Sequence, residues 1–424
     1  MIFKVFYKKM TDNLFSRQGS RATSILVFLF LATLLSTRSG YSYALGALVL
    51  YSLWQVMRSP SISLQRSEAW ILLWLLLFAV FGMSAAAIHG DPLAEYEVPI
   101  KFALAVVLIV CCMKLPPKPA FFWLGLVTGA VSGFFVAYWK MEQSGIPKAF
   151  GYTGAIQFGN LALTLSLIQI VGLCWLLSHR SKDYFLWLAA LPIGTFFGLL
   201  SSYFSGTRGG WVAIPVFLIL FLLSYVRRQN FFYCFLVVMG IVLSGAIIVI
   251  SSTMVQERIQ AAANDVVEYQ SQGFESVGSI GSRLAIWEVS LDMLKDKPVW
   301  GWGEVKFRAE LKRREQDGRL GAVPASLANT HNTFIEVWMM YGGLALIALI
   351  GLLISLTWYF LRYVRCPDSV MRAYSLAGLC LVMGYVVYGQ SQIMLIRNNT
   401  LVFFLLMIAV LMGMLRQRRI ELEG

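Results

Sequence analysis

Three side chains, one histidine and two arginines, stand where this chain could do chemistry. His331 lies in the run Asn329-Thr330-His331-Asn332-Thr333-Phe334-Ile335-Glu336-Val337-Trp338, where the longest polar segment meets an apolar helix, and the chain has only three histidines. Thr333-Phe334-Ile335-Glu336 has the form of a capping box, with Thr333 as N-cap and Glu336 three residues on. A helix N-terminus disfavours an imidazolium, so His331 is expected to be neutral, the form a general base needs. Arg208 is the lone charge in the turn Ser205-Gly206-Thr207-Arg208-Gly209-Gly210. A guanidinium fork suits a phosphate, and flanking glycines let backbone N–H groups approach the same anion. Arg283 stands four residues before Trp287, so the two share a helix face. One base and two isolated guanidiniums on one face match the needs of a diphosphate leaving group. Each has a plainer reading: a hydrogen-bonded interfacial histidine, a snorkelling arginine, a surface arginine paired with an aromatic ring. His89 and His179 read as loop histidines of that plainer kind.

The elements that must position these groups are membrane helices. Of the 424 residues, 58% are hydrophobic and only 13% charged, against about a quarter charged in soluble domains. Apolar runs long enough to cross a bilayer recur along the whole length. They are continuous rather than alternating, which excludes a β-barrel. The expected class is an all-α polytopic membrane protein with about twelve spans. Their approximate limits are 22–37, 41–57, 69–88, 98–114, 120–140, 154–178, 184–203, 209–226, 231–252, 333–361, 370–389 and 394–415. The first two are short enough to form a tight helical pair. The first apolar run lacks a small-residue cleavage site and reads as a retained span rather than a removed signal peptide.

Charge sets the orientation. The termini and alternate loops carry 19 of the 35 basic residues, while the opposite short loops hold only Arg38, Lys101, Lys140, Lys148, Arg208 and Arg397. Cytoplasmic loops accumulate Lys and Arg, so both termini are expected in the cytoplasm. The net charge of +13 then reflects topology and contact with anionic membrane lipid, not nucleic-acid binding. Three regions follow: 1–252, a first bundle of about nine spans; 253–330, a large periplasmic helical segment before the tenth span; and 331–424, the last three spans. Within the middle region, Leu284, Trp287, Leu291 and Leu294 fall at helical spacing, with Ser282 as a candidate N-cap. Lys297-Pro298-Val299-Trp300-Gly301-Trp302-Gly303 breaks that helix, and Glu304 to Gln316 forms a second, highly charged one.

Several chemistries have no residues to carry them. There is no Walker A loop, no His-Glu-x-x-His and no Asp-x-Asp pair. No metal and no cofactor is expected. The six cysteines lie in or beside apolar runs, which argues against a disulfide framework or a zinc site.

His331-Asn332, nine residues and then Gly342 resembles the signature of bacterial O-antigen ligases of the WaaL type, with Ala345 standing where the signature has Gly, Thr or Tyr; Gly343 is expected to supply the close helix approach instead. The Arg208 turn, and the run Arg283-x-x-x-Trp287 through Pro298-x-x-Gly301-x-Gly303, are similar to the wider ligase and polymerase superfamily. The resemblance implies a glycosyltransferase of the bacterial inner membrane acting on its periplasmic face in lipopolysaccharide biosynthesis. The donor would be undecaprenyl diphosphate-linked O-antigen and the acceptor a sugar hydroxyl of lipid A–core. His331 would be the base, Arg208 and Arg283 would bind the diphosphate, and Asn332, Glu336 and Trp287 would support them. With no paired carboxylates for a covalent intermediate, a single inverting displacement is expected. An O-antigen polymerase or a protein O-oligosaccharyltransferase would use the same donor. A transporter or flippase of a lipid-linked glycan is a reading of a different class. It predicts charges inside several spans and matching broken helices, which the chain does not display.

Overall fold

The computed structural model describes residues 20–226 except 60, 147, 179–183 and 208, scattered residues between 231 and 271, and residues 278–423. Among the described residues the regular elements are all helical. The first bundle consists of α1 (Ser20–Thr33), α2 (Gly40–Arg58), α3 (Arg66–His89), α4 (Glu97–Lys114), α5 (Pro119–Ser144), α6 (Ala155–Ser178), α7 (Tyr184–Phe204) and α8 (Ala213–Tyr225). The polar segment contributes α9 (Ser279–Asp296), α10 (Glu304–Gln316) and the short α11 (Ala322–Ser326). The chain then closes with α12 (Thr333–Leu361), α13 (Ser369–Gly389) and α14 (Asn398–Glu423).

Among the described residues, eight helices are long and apolar enough to span a membrane, and α1 and the Gly209–Tyr225 stretch are shorter apolar helices. The first two expected spans correspond to α1 and α2, paired through a short turn. The ninth expected span, 231–252, lies outside the described residues but for Phe231, Phe232 and Met239, and His179 lies outside them too.

The core sits around the end of the chain. In α14, 89% of the apolar window is buried, so this helix is apolar on all sides and lies inside the bundle rather than on its rim. It packs on α4 and α13; α3 packs on α12, and α6 on α7 and α13. At one end of the bundle, Arg416 donates to Glu68 Oε2 at 2.6 Å and to the Ser63 carbonyl at 2.6 Å. Glu68 is fully buried and also accepts from the Gln65 N–H, capping α3. Beside it, Arg418 pairs with Asp368 at 2.7 Å, the residue that caps α13. The opposite end holds the C-terminus of α3, the N-termini of α12 and α14, and the polar segment. That segment turns at Lys297 as expected. Its first helix, however, starts earlier: Gly278 is the N-cap of α9 and Ser282 is buried inside it.

Candidate functional site

The polar segment docks on a break in α12. At Gly342 the helix backbone leaves helical geometry, with φ +83° and ψ 174°. The Pro298–Gly303 turn runs through the break. A Cβ on Gly342 would lie 2.1 Å from the Val299 carbonyl oxygen, and one on Gly301 2.5 Å from that of Trp338. The freed backbone groups are taken up across the contact, as buried polar groups require. Trp302 and Gly303 N–H both donate to Met339 O at 2.7 and 3.1 Å. Gly343 N–H donates to Pro298 O at 3.0 Å, and Trp338 Nε1 to the same carbonyl at 2.8 Å. Gly343 therefore does make a close approach, 2.7 Å from Pro298 O to a Cβ built on it. His89 belongs to this contact: it ends α3, reaches Gly301 O at 3.2 Å and pairs with Asp91 at 3.4 Å.

Docked in this way, α9 and α10 hold the loop that precedes α12. Trp287 Nε1 donates to Thr330 O at 2.6 Å. The Thr330 N–H donates to the buried Glu336 carboxylate at 2.7 Å. Arg308, paired with Glu304 at 2.7 Å, donates to Leu327 O at 2.9 Å and also to Ala328 O. The cap of α12 is displaced by one residue from the sequence expectation. Asn332 is the N-cap, its side chain accepting from Phe334 and Ile335 N–H at 2.9 and 3.2 Å. Thr333 instead bonds the α13–α14 loop, donating to Gln392 O at 2.7 Å and accepting from Met394 N–H at 3.0 Å. Both residue types cap well; the neighbouring loop takes the threonine and leaves the asparagine. Glu336 accordingly closes no capping box and braces Thr330.

This bracing surrounds a strained residue. His331 has φ +54°, and it is the non-glycine residue with positive φ among those described. A left-handed conformation costs about 1–2 kcal/mol, and its N–H is satisfied by Asn329 Oδ1 at 3.0 Å. Its Nδ1 is enclosed and has no hydrogen-bond partner among the described residues. The imidazole pKa is pushed down to about 4, first by burial, then by the Arg283 and Arg397 guanidiniums. The ring is neutral as expected, but burial and two cations, rather than the helix terminus, make it so.

Arg283, half-buried one turn from Trp287, has its own pKa lowered by burial. It makes no ion pair or hydrogen bond with a described residue. Sequence reasoning missed Arg397, which is exposed just before α14; it looked like one more loop charge. The available signal was its place among the few basic residues of the sparsely charged face. Arg208 lies outside the described residues. The residue after it reaches the α13–α14 loop: a Cβ on Gly209 would sit 3.3 Å from Ser391 Oγ, next to Gln392. The site thus offers a neutral base with two guanidiniums near it, an arrangement suited to deprotonating a hydroxyl beside an anion. Among the described residues no group of three or more His, Cys, Asp or Glu could hold a metal ion.

Residues 193–350, from α7 into α12, match the family model described as O-antigen ligase. This segment belongs to the O-antigen ligase superfamily. It contains Arg208, Arg283 and His331, so the O-antigen ligase match covers the docked polar segment and the loop it braces. The chain is also 25% identical to an uncharacterized protein of Haemophilus influenzae (strain Rd) over 387 residues, 90% of this chain and 95% of that one. It is 27% identical to the O-antigen ligase of Escherichia coli K12 over 192 residues, 45% of this chain and 43% of that protein.

Proposed function

We propose that the chain is an O-antigen ligase. It moves O-antigen polysaccharide from undecaprenyl diphosphate to a sugar hydroxyl of lipid A–core, on the periplasmic face of the inner membrane and without a metal. The observation that carries this reading is the neutral His331 imidazole with the Arg283 and Arg397 guanidiniums acting on it, at the end of a membrane bundle. The opposite end carries Arg58, Arg66, Lys114, Lys118, Arg362, Arg365, Arg416, Arg418 and Arg419, which supports a cytoplasmic location for that end by the positive-inside rule.

In the step, the acceptor oxygen attacks the anomeric carbon and its proton passes to His331. The bond from that carbon to the diphosphate oxygen breaks, and the configuration inverts. The diphosphate leaves with added negative charge, where guanidinium contacts count most. Arg208 joins Arg283 and Arg397 in this role. The same charges govern the base. Without donor the guanidiniums hold the imidazole pKa down; a bound diphosphate offsets them and raises it toward a useful value. Both substrates are lipid-anchored, so much of the rate comes from holding them in register.

The test is transfer by purified protein in nanodiscs, with defined lipid-linked donor and rough lipopolysaccharide. His331→Ala abolishes transfer while the protein level holds, and Arg283→Ala and Arg397→Ala each reduce it strongly. Normal transfer by His331→Ala overturns the catalytic assignment. Elongation of donor in the absence of lipid A–core identifies a polymerase instead, and glycan appearing on a protein hydroxyl identifies an oligosaccharyltransferase.

A further inference from the structure

The start of α14 and the loops facing it form a polar cavity at the His331 end of the bundle. Its volume is about 190 Å³, and Tyr41, Tyr152, Thr37, Thr153, Asn398 and Asn399 line it together with two leucines. At roughly 30 Å³ per water this is room for about six waters, the space of one sugar ring rather than an oligosaccharide. None of its lining residues is charged, so it suits a neutral polar ligand and not a diphosphate.

The cavity is built by fixed side chains. Asn399 Nδ2 donates to Thr153 Oγ1 at 2.9 Å, and Asn398 Oδ1 accepts from Lys101 Nζ at 2.6 Å. Thr37 accepts from the Gly40 N–H at 2.9 Å, shaping the α1–α2 turn. Tyr152 is 45% exposed, and Lys140 sits over its ring, 4.2 Å from the centroid. One face of that ring is thereby braced while much of the side chain stays open. The Tyr41 and Tyr152 hydroxyls and the Asn398 amide nitrogen make no hydrogen bond to a described residue. An aromatic ring with a few convergent hydroxyl and amide groups is the ordinary composition of a site for a small polar ligand. Asn398 directly follows Arg397, whose charge acts on His331, so the cavity adjoins the reaction site along the chain.

We infer that this cavity binds one neutral hexopyranose unit of the transferred or accepting glycan, stacking it on Tyr152 and hydrogen-bonding it through Tyr41 and Asn398. This rests on the glycan-transfer reading above and adds to it a recognition subsite apart from the diphosphate. Two sources could supply the sugar, the acceptor core or the O-chain of the donor.

The test is saturation-transfer NMR on the full chain in nanodiscs. The probes are core and O-chain oligosaccharides released by mild acid from the host lipopolysaccharide and tested separately. Wild type is expected to bind one of them. Tyr152→Ala and Asn398→Ala should each weaken that binding by about tenfold, a typical consequence of losing one polar or stacking contact. Tyr41→Phe, which removes a single hydroxyl, gives a smaller loss with an unchanged thermal midpoint. Tyr43→Ala, on the same helix at an exposed position outside the cavity, leaves binding unchanged. Core binding assigns the acceptor and O-chain binding the donor. Binding of neither by wild type, or equal binding by wild type and both alanine variants, overturns the inference. The readout is independent of transfer, so an inactive His331→Ala that still binds the oligosaccharide keeps this inference and the catalytic assignment separate.

Discussion

Gly342→Ala is the substitution that separates docking from chemistry, because Gly342 touches neither His331 nor its cations. A Cβ there would lie 2.1 Å from Val299 O, 2.5 Å from Trp300 Cα and 2.6 Å from Trp300 C. All three are backbone atoms, so no side chain can rotate out of the way. The first contact falls about 1.3 Å short of ordinary van der Waals separation. The left-handed backbone adds about 1–2 kcal/mol of strain for alanine. If the Pro298–Gly303 turn lifts to make room, it forfeits the two bonds to Met339 O and the two to Pro298 O, at about 1 kcal/mol each. The docking contact then loses roughly 5–6 kcal/mol. Arg283 and Trp287 move with the turn, and a displacement of about 1 Å in a positioning element can cost about 100-fold in rate. The assay is transfer in nanodiscs beside tryptic susceptibility of the polar segment. The expected result is a rate lowered about 100-fold or more, with the bundle still inserted and the polar segment newly cleaved. Wild-type rate with wild-type protection would refute the docking account.

Further outcomes follow from the site and from the far end of the bundle. With His331 neutral down to a pKa of about 4, kcat/KM should stay level as pH falls from 8 to about 5 and drop below that. Arg283→Gln removes a cation that lowers this pKa, so the acid limb of its pH profile should shift to higher pH; an unmoved or lowered limb contradicts the coupling. The stability effect has the same direction. A depressed histidine pKa contributes stability that is present above the unfolded value of about 6.5 and is lost as pH falls toward the folded one, so unfolding scans in detergent should show a lower midpoint at pH 4.5 than at pH 7. Trp287→Phe leaves Thr330 O without its donor. It should cost about 1–3 kcal/mol and lower kcat more than it raises KM, whereas equal changes would mean general unfolding. Arg416→Met leaves the buried Glu68 without its closest partner. It should destabilise by about 3–5 kcal/mol in thermal scans, with kcat of the folded fraction unchanged.

The sequence alone was enough for the helical class, the face on which charge is sparse, and the pairing of Arg283 with Trp287 on one helix side. These depend on composition and on the 3.6-residue period, which are local properties. The break after Lys297 and the charged helix from Glu304 were legible for the same reason. What lay beyond its reach was decided by segments distant in the chain. Thr333 and Asn332 are both good caps, and the choice between them falls to a loop some sixty residues later that takes the threonine hydroxyl. Arg397 looks like any loop cation until folding brings its charge to bear on His331. Gly342 is a helix glycine in sequence, and becomes a break because the backbone of Val299 and Trp300 passes where a side chain would be. The neutrality of His331 was anticipated from the helix terminus. It comes from burial and two guanidiniums, since desolvation and charge are set by what folding packs around a ring, not by its neighbours in the chain.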